Sequence, residues 1–150
     1  SEHWGPVVMR SKNFGGKWVH GEEGPRFSKE SGVSVTRIWQ VRPGEGDELY
    51  AGVEPAGLFR SDDGGETWQS VDGLNYRPDR KDWEPGGGGL CLHTILPYPR
   101  DPKRMLIAIS SSGVFGTSDG GGTWRPMNGG VRGFQPGKIM EEGVISSCPH

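Results

Sequence analysis

The chain has 150 residues, of which 27 are glycine and 12 are proline, and its formal net charge is −2. This composition is typical of many short strands joined by turns, and no stretch shows sustained helical periodicity. No segment approaches the ~20 apolar residues that a membrane-spanning helix requires, and the near-neutral charge argues against a nucleic-acid-binding surface.

Strand-like segments occur in three groups along the chain. The first group covers residues 7–11 and 17–20. The second covers 35–41, 48–53, 58–61 and 67–71, and the third covers 90–96, 104–110, 114–117 and 123–127. This spacing predicts two successive four-stranded antiparallel units that follow a partial one.

One eight-residue motif joins the last two strands of each group. Two copies, at residues 61–68 and 117–124, read Ser/Thr-x-Asp-x-Gly-x-Thr-Trp, and a weaker copy at residues 11–18 has Asn13 in place of the aspartate. We call them the first, second and third turn motifs in chain order. The residues that define the second and third are Ser61, Asp63, Gly65, Thr67, Trp68, Thr117, Asp119, Gly121, Thr123 and Trp124.

The chemistry of this motif is that of a tight turn. The carboxylate and the hydroxyl accept hydrogen bonds from backbone N–H groups a few residues later, and glycine permits a positive φ. The tryptophan then opens the next strand and covers the turn with its ring. These residues are therefore predicted to stabilise the fold and not to catalyse a reaction.

The repeat is longer than the motif itself. A shift of 56 residues (61 to 117) also aligns flanking positions without a gap: Pro43 with Pro99, Ala51 with Ile107, Gly57 with Gly113, Phe59 with Phe115 and Gly73 with Gly129. Self-similarity at a fixed period predicts a repeat architecture.

The motif and its flanking strands resemble the Asp-box (BNR) repeat of sialidase-like β-propellers. That family includes sialidases and other glycoside hydrolases, sortilin-type receptors and photosystem II assembly factors. The resemblance implies an all-β fold, namely a partial β-propeller with about two to three four-stranded blades of a larger one. Residues 1–20 would end one blade, 35–71 and 90–127 would form the next two, and 146–150 would begin a fourth. The remaining blades are expected to be missing from this chain, and the absence of a visible signal peptide favours a cytoplasmic location.

Antiparallel strand order predicts which loops share a face. The turn motifs should lie beside the loops between first and second strands, and the opposite face should carry the second-to-third loops and the long connections between blades. The resemblance to sialidases implies that a ligand binds on this opposite face, near the central channel. The candidate catalytic residues there are Glu54, Arg37 and His93, and the candidate substrate-binding residues are His3, Trp4, Trp83 and Glu141.

These candidates differ in their support. Arg37 and the isoleucine after it match the start of the Arg-Ile-Pro signature of sialidases, but Trp39 replaces the proline. Glu54 is stiffened by the proline that follows it, although most acids are solvated surface groups. Trp83, between two acids, suits a sugar platform, yet a lone aromatic more often packs against its own loop. No complete catalytic set can be assigned within the chain.

Two Cys-x-His pairs open successive predicted first strands, Cys91 with His93 and Cys148 with His150. Residues two apart in a strand face the same side, so the pairs would supply four ligands suited to Zn²⁺. A buried cysteine that packs as a small hydrophobe explains the pattern as well. No metal site and no cofactor are predicted.

Two functions follow from the resemblance. One is a sialidase-like glycoside hydrolase with its ligand at the channel mouth. The alternative is a non-catalytic propeller that serves as a scaffold for protein binding or complex assembly. The expected partner is accordingly a carbohydrate or a protein.

Overall fold

The computed structural model describes residues 5–131 and the backbone of two short strands at 134–135 and 138–139. The strands in chain order are β1 (Met9–Arg10), β2 (Val19–His20), β3 (Arg37–Pro43), β4 (Leu49–Glu54), β5 (Gly57–Ser61), β6 (Gln69–Ser70), β7 (Leu92–Pro97), β8 (Met105–Ile109), β9 (Gly113–Thr117), β10 (Arg125–Pro126), β11 (Phe134–Gln135) and β12 (Lys138–Ile139). One helical turn, α1 (Asp72–Asn75), and two 3-10 turns, Lys29–Ser31 and Pro78–Asp82, lie between strands.

Two four-stranded antiparallel sheets contain most of the described strands. One has the order β3-β4-β5-β6 and the other β7-β8-β9-β10, so each is a meander of strands adjacent in sequence. β1 and β2 form a separate two-stranded sheet that carries the first turn motif. Four-stranded meanders of this kind are the blades of β-propellers, and the predicted all-β fold class is confirmed.

The first strands of the two sheets lie side by side. Gln40 of β3 accepts a hydrogen bond on its Oε1 from the backbone N–H of Ile95 in β7, at 2.7 Å. Gly52 of β4 packs directly against Leu92 of β7, where a side chain would overlap the leucine carbonyl. β3 and β7 are therefore the inner strands, and the short β6 and β10 are the outer ones.

The ungapped alignment of the two blades is wrong for these inner strands. Pro43 pairs with the first residue of β4, and Pro97 pairs with the first residue of β8. Pro97, not Pro99, is therefore the counterpart of Pro43, and the inner strands are 54 residues apart (43 to 97). The turn between first and second strands is two residues longer in the second blade, and the chance match of two prolines conceals this insertion.

The corrected register changes which residues correspond on the inner strands. Each inner strand has a β-bulge, between Ile38 and Gln40 in β3 and between Leu92 and Thr94 in β7. The bulged residues are Trp39 and His93. These two are therefore counterparts, whereas the ungapped alignment matches His93 to an arginine.

The third turn motif closes as predicted. Thr117 Oγ1 accepts a hydrogen bond from the N–H of Gly121 at 3.0 Å, and Asp119 Oδ2 accepts one from Thr123 Oγ1 at 2.6 Å. The ring of Trp124 is buried beneath the turn, and its Nε1 donates to the carbonyl of Gly121 at 3.0 Å. The motif thus satisfies backbone and side-chain polar groups within one turn.

The polar residues of the other two motifs close their turns with similar hydrogen bonds, but the tryptophans differ: Trp18 is exposed, and the buried Nε1 of Trp68 has no partner among the described residues. Ser61 Oγ accepts from the N–H of Gly65 at 2.8 Å, and Asp63 Oδ2 accepts from Thr67 Oγ1 at 2.6 Å. In the first motif Asn13 replaces the aspartate and accepts from the N–H of Lys17 at 2.8 Å. Gly65 and Gly121 have φ values of +90° and +100°, which an L side chain adopts only with strain.

The second and third turn motifs also hold the segment of chain that leaves the preceding blade. Gly73, just after outer strand β6, lies so close to the carbonyl oxygens of Gly121 and Gly122 that a β-carbon would overlap both. Gly21, just after β2, lies against the second turn motif in the same way. The motif therefore has two structural roles, closing its own turn and joining neighbouring blades.

The long connection between the two blades is more ordered than the sequence predicts. It contains α1 and the 3-10 turn Pro78–Asp82. The side chain of buried Asn75 accepts from the N–H of Leu58 and donates to its carbonyl, both at 2.8 Å. The amide oxygen takes the place of a strand partner for the N–H of Leu58, because buried backbone polar groups need a hydrogen-bond partner. The Leu58 carbonyl also accepts from the N–H of Val71 at 3.0 Å.

Two apolar clusters form the described core. The larger lies between the two blades and includes Leu58, Leu74, Leu92, Ile95, Ile107, Phe115 and Trp124. The smaller consists of Phe27, Ala51, Val53 and Phe59. The larger cluster draws residues from both sheets, so burial of apolar area holds the blades together.

The aspartates of the turn motifs should make stability depend on pH. Hydrogen bonds from the side chain and backbone of Thr67 lower the pKa of Asp63 from 3.8 to about 2, and hydrogen bonds from Thr123 also lower the pKa of Asp119. A pKa that is lower in the folded state gives stability that is complete above about pH 4 and lost as the pH falls through about 2. Asp63→Asn should lower the melting temperature at pH 7 by several degrees and flatten its change between about pH 4 and 2.

Asp62→Asn is the matched control, because Asp62 is an exposed neighbour that bonds Arg60 and not the turn backbone. It should melt like the wild type at every pH. The same pH profile for Asp63→Asn and the wild type would contradict the role assigned to the carboxylate. Ligand affinity per folded molecule should be unchanged in both variants, because the turn motifs lie away from the candidate site.

Candidate functional site

The structure confirms the predicted sorting of loops between the two faces. The N–H of Gly64 in the second turn motif donates to the carbonyl of Asp47, at 3.0 Å, in the loop between β3 and β4. Gly120 in the third motif bonds Lys103, in the loop between β7 and β8, at 2.9 Å. The opposite ends of the inner strands therefore form a separate rim, which we call the inner rim.

Glu54 and Trp39 meet on the inner rim. Arg37, the first residue of β3, pairs with Glu54, the last residue of β4. The carbonyl of Glu54 accepts hydrogen bonds from the N–H and the hydroxyl of Thr36, at 2.8 and 3.0 Å. The Glu54 carboxylate accepts one from the indole Nε1 of Trp39, at 3.1 Å. Backbone and side chain of Glu54 are thus both held in place.

The Trp39 side chain is directed by the β-bulge in β3. A bulge inserts one residue opposite a single partner and re-aims its side chain. Trp39 is 45% exposed, although its indole N–H has a partner. His93, its counterpart in the next blade, is also exposed, and its Nδ1 lies 2.8 Å from Thr94 Oγ1. The two inner strands therefore both present their bulged side chain to solvent.

The glycine run before β7 borders the Glu54 carboxylate. Gly86 and Gly89 pair across a turn, and the carbonyl of Gly89 accepts a hydrogen bond from Ser110 Oγ at 2.8 Å. A β-carbon on Gly89 would overlap Oε1 of Glu54. The turn is thus fastened to the second blade and leaves room for a carboxylate of the first.

Trp83, a predicted sugar platform, lies against the blade. Its ring is half-buried and its centroid is 5.4 Å from that of Phe115. Arg80 lies between the rings of Trp83 and Phe27, and it donates a hydrogen bond to the carbonyl of Ala56. Burial lowers the pKa of Arg80. These contacts match the interpretation that Trp83 anchors its loop, and a role in substrate binding stays a prediction.

Several predicted positions lie outside the described residues: His3, Trp4, Glu141, Cys148 and His150. Of the two Cys-x-His pairs, Cys91 and His93 are described. Cys91 is buried, and its Sγ lies 3.3 Å from Ser110 Oγ. Within residues 5–131 no group of three or more His, Cys, Asp or Glu side chains is placed to hold a metal ion.

Sequence reasoning did not select Trp39 or Arg80. Trp39 entered only as the residue that replaces a signature proline, because the ungapped alignment hid its correspondence with His93. Arg80 carried no signal, since cation–π contacts with Phe27 and Trp83 join residues that are far apart in sequence. No helix in the described part of the chain is long and apolar enough to cross a membrane.

The turn-motif face carries a different feature. An open depression of about 500 Å³ there is lined by Glu45, Asp47, Glu48, Arg60, Asp62 and Pro102. Burial, together with the nearby Glu48 carboxylate, raises the pKa of Tyr50 to about 12. This acidic depression has no aromatic lining residue and lies on the other side of the blades from the inner rim.

Comparison with known proteins finds similarity to propeller enzymes. The chain is similar in structure to the GH74 xyloglucanase from Xanthomonas campestris, with a TM-score of 0.52 and 22% sequence identity. The match covers 82% of this chain and 19% of that protein. The described residues form part of a β-propeller. No family model matches the chain.

Two curated proteins are similar in sequence. The chain is 28% identical over 90 residues to the oligoxyloglucan-reducing end-specific xyloglucanase of Emericella nidulans, covering 59% of this chain and 10% of that protein. It is 26% identical over 117 residues to the probable oligoxyloglucan-reducing end-specific xyloglucanase of Neosartorya fischeri, covering 77% and 13%. The chain thus spans about a tenth of the length of these relatives. The similarities fit a propeller of the glycosidase type and are not specific to sialidases.

Proposed function

We propose that this chain is part of a propeller glycoside hydrolase that acts on xyloglucan-type polysaccharides. The observation that carries the proposal is the similarity to a probable xyloglucanase over 117 residues, 77% of this chain. The inner rim supports it, because an exposed tryptophan beside a fixed carboxylate suits a neutral sugar better than a charged one.

The described residues supply part of the site and not a complete catalytic pair. Glycoside hydrolysis uses two carboxyl groups, about 5–5.5 Å apart for retention of configuration and about 6.5–9.5 Å for inversion. The described polar contacts of the Glu54 carboxylate join it to Trp39 and not to a second carboxyl. The proposal therefore takes at least one catalytic carboxyl from elsewhere in the propeller. Arg37 and His93 remain candidates on the same rim.

A sialidase would need different substrate-binding residues. Sialosides carry a carboxylate, and the sialidase resemblance requires arginines to bind it. Arg37 meets this requirement in part, since it is exposed at the start of β3. Two positions later, however, the chain has Trp39 where the sialidase signature has proline. We therefore treat sialic acid cleavage and the non-catalytic scaffold as outcomes of the test below.

The test is an assay of the full-length protein on four substrates: xyloglucan, its oligosaccharides, unbranched cello-oligosaccharides and a fluorogenic sialoside. We expect release of reducing ends from the first two and much slower release from the unbranched chains. Turnover of the sialoside alone would replace xyloglucan with sialic acid as the substrate. No turnover of any of the four substrates would overturn the proposal of an enzyme and favour the non-catalytic scaffold.

A further inference from the structure

Trp39 keeps much of its ring exposed among the described residues. Burial of a large aromatic ring is favourable by roughly 25 cal/mol for each Å² removed from water. Trp39 nevertheless stays 45% exposed, and its polar edge is already bonded to Glu54. What remains open to solvent is therefore mainly apolar ring surface at the inner rim.

The fixed orientation of this ring has three causes. The bulge between Ile38 and Gln40 directs the side chain outwards. The carboxylate of Glu54 holds the indole by its Nε1 at 3.1 Å. Thr36 holds the backbone of Glu54. The ring is therefore held in one orientation at the inner rim.

The two blades differ at these positions while they agree at structural ones. The turn motifs and Phe59 and Phe115 keep their residue types after the 56-residue shift. On the inner rim, by contrast, Trp39 corresponds to His93. The residue type at the bulge thus differs between the blades on the rim where the ligand is proposed to bind.

We propose that Trp39 is a stacking platform for a sugar ring of the substrate and that Glu54 is the positioning residue that holds the indole. The inference rests on the proposed function, because the sugar is a glucosyl unit of a xyloglucan chain. A β-glucosyl ring carries its hydroxyls around its edge and presents C–H groups on its faces, which pack against an aromatic ring. The Glu54 carboxylate, which borders the edge of the indole, would accept a hydrogen bond from a hydroxyl on the edge of the stacked sugar.

The test is steady-state kinetics of the full-length protein on xyloglucan oligosaccharides, with melting temperatures measured in parallel. Trp39→Ala should raise KM about three- to tenfold and change kcat much less, as expected for loss of one aromatic packing contact. Trp39→Phe, which keeps a ring and loses the N–H, should raise KM less. Glu54→Ala should raise KM, and Glu54→Gln, which keeps a carbonyl acceptor for the indole, should raise it less than Glu54→Ala.

Tyr98→Ala is the matched control. Tyr98 is 48% exposed but lies just after β7, in the loop on the turn-motif side, with Arg104 over its ring. It should leave KM unchanged. A lowered melting temperature with unchanged KM in Trp39→Ala would assign the ring to packing and overturn the inference.

Two further outcomes separate the inference from the function on which it rests. A fall in kcat of about 10²–10⁴-fold in Glu54→Gln would make Glu54 an acid–base group and overturn its positioning role. An active wild type whose KM does not respond to Trp39→Ala would leave the proposed function intact and overturn the platform. A wild type without activity on or binding to xyloglucan oligosaccharides would overturn both.

Discussion

Gly73→Ala is expected to destabilise the folded protein by about 2–3 kcal/mol and to lower its melting temperature accordingly. A β-carbon at this position overlaps the carbonyl oxygens of Gly121 and Gly122, so the obstacle is backbone that cannot rotate away. Either the segment after β6 or the third turn motif must move. Because this contact joins two blades, the variant should pack one blade less well on the next. The lower free energy of unfolding is measurable by thermal or urea unfolding.

Gly87→Ala is the matched control for this prediction. Gly87 is exposed in the same connection between blades, and a β-carbon there meets no described atom within 4 Å. It should change stability by no more than a few tenths of a kcal/mol, and in the stabilising direction if at all. Equal stability of the Gly73 variant and the wild type would show that the third turn motif does not pack tightly against the segment that leaves the preceding blade.

Phe59→Ala should be the most destabilising single change, at about 3–5 kcal/mol. Phe59 lies in β5 and is fully buried. Its ring meets that of Phe27 edge to face, with centroids 5.2 Å apart and planes at 73°. Truncation removes both the transfer free energy of the ring and this contact, and it leaves a cavity lined by strand residues that cannot collapse to fill it.

Phe14→Ala tests whether the loss comes from burial and not from the residue type. Phe14 lies in the first turn motif with its side chain fully exposed among the described residues. Its replacement should leave the denaturation midpoint within experimental error. If both phenylalanine variants unfolded at the same denaturant concentration, the smaller apolar cluster around Phe59 would not be a core.

The repeat architecture was predictable because its signals are local. Asp63 and Asp119 bond to groups within four residues of themselves, so the sequence alone contains both partners of each bond. Alternating apolar residues likewise predicted β4, β5, β8 and β9 to within about two residues. The outer strands were predicted too long, because β6 and β10 pair over only two residues before the chain turns away.

The site was predictable only in part. Glu54 and Arg37 were selected because strand order alone places both at one end of their blade, and the structure pairs them. The contact between Glu54 and Trp39 could not be predicted, since it depends on a bulge that no residue type signals. The turn before β8 is two residues longer than the turn before β4, and this insertion displaced the counterpart of His93 by two positions.

The amino-acid sequence by itself determined the turn motifs, the strand order within each blade and the face on which the turns lie, because all of these follow from contacts between near neighbours and from alternation. Tertiary structure alone decided which inner-strand side chains are exposed together, how Gly73 fits beneath the next turn motif, and that Arg80 lies between Phe27 and Trp83. These features depend on the packing of one blade on another, where residues distant in sequence exclude water from a shared surface, and no local pattern records that geometry.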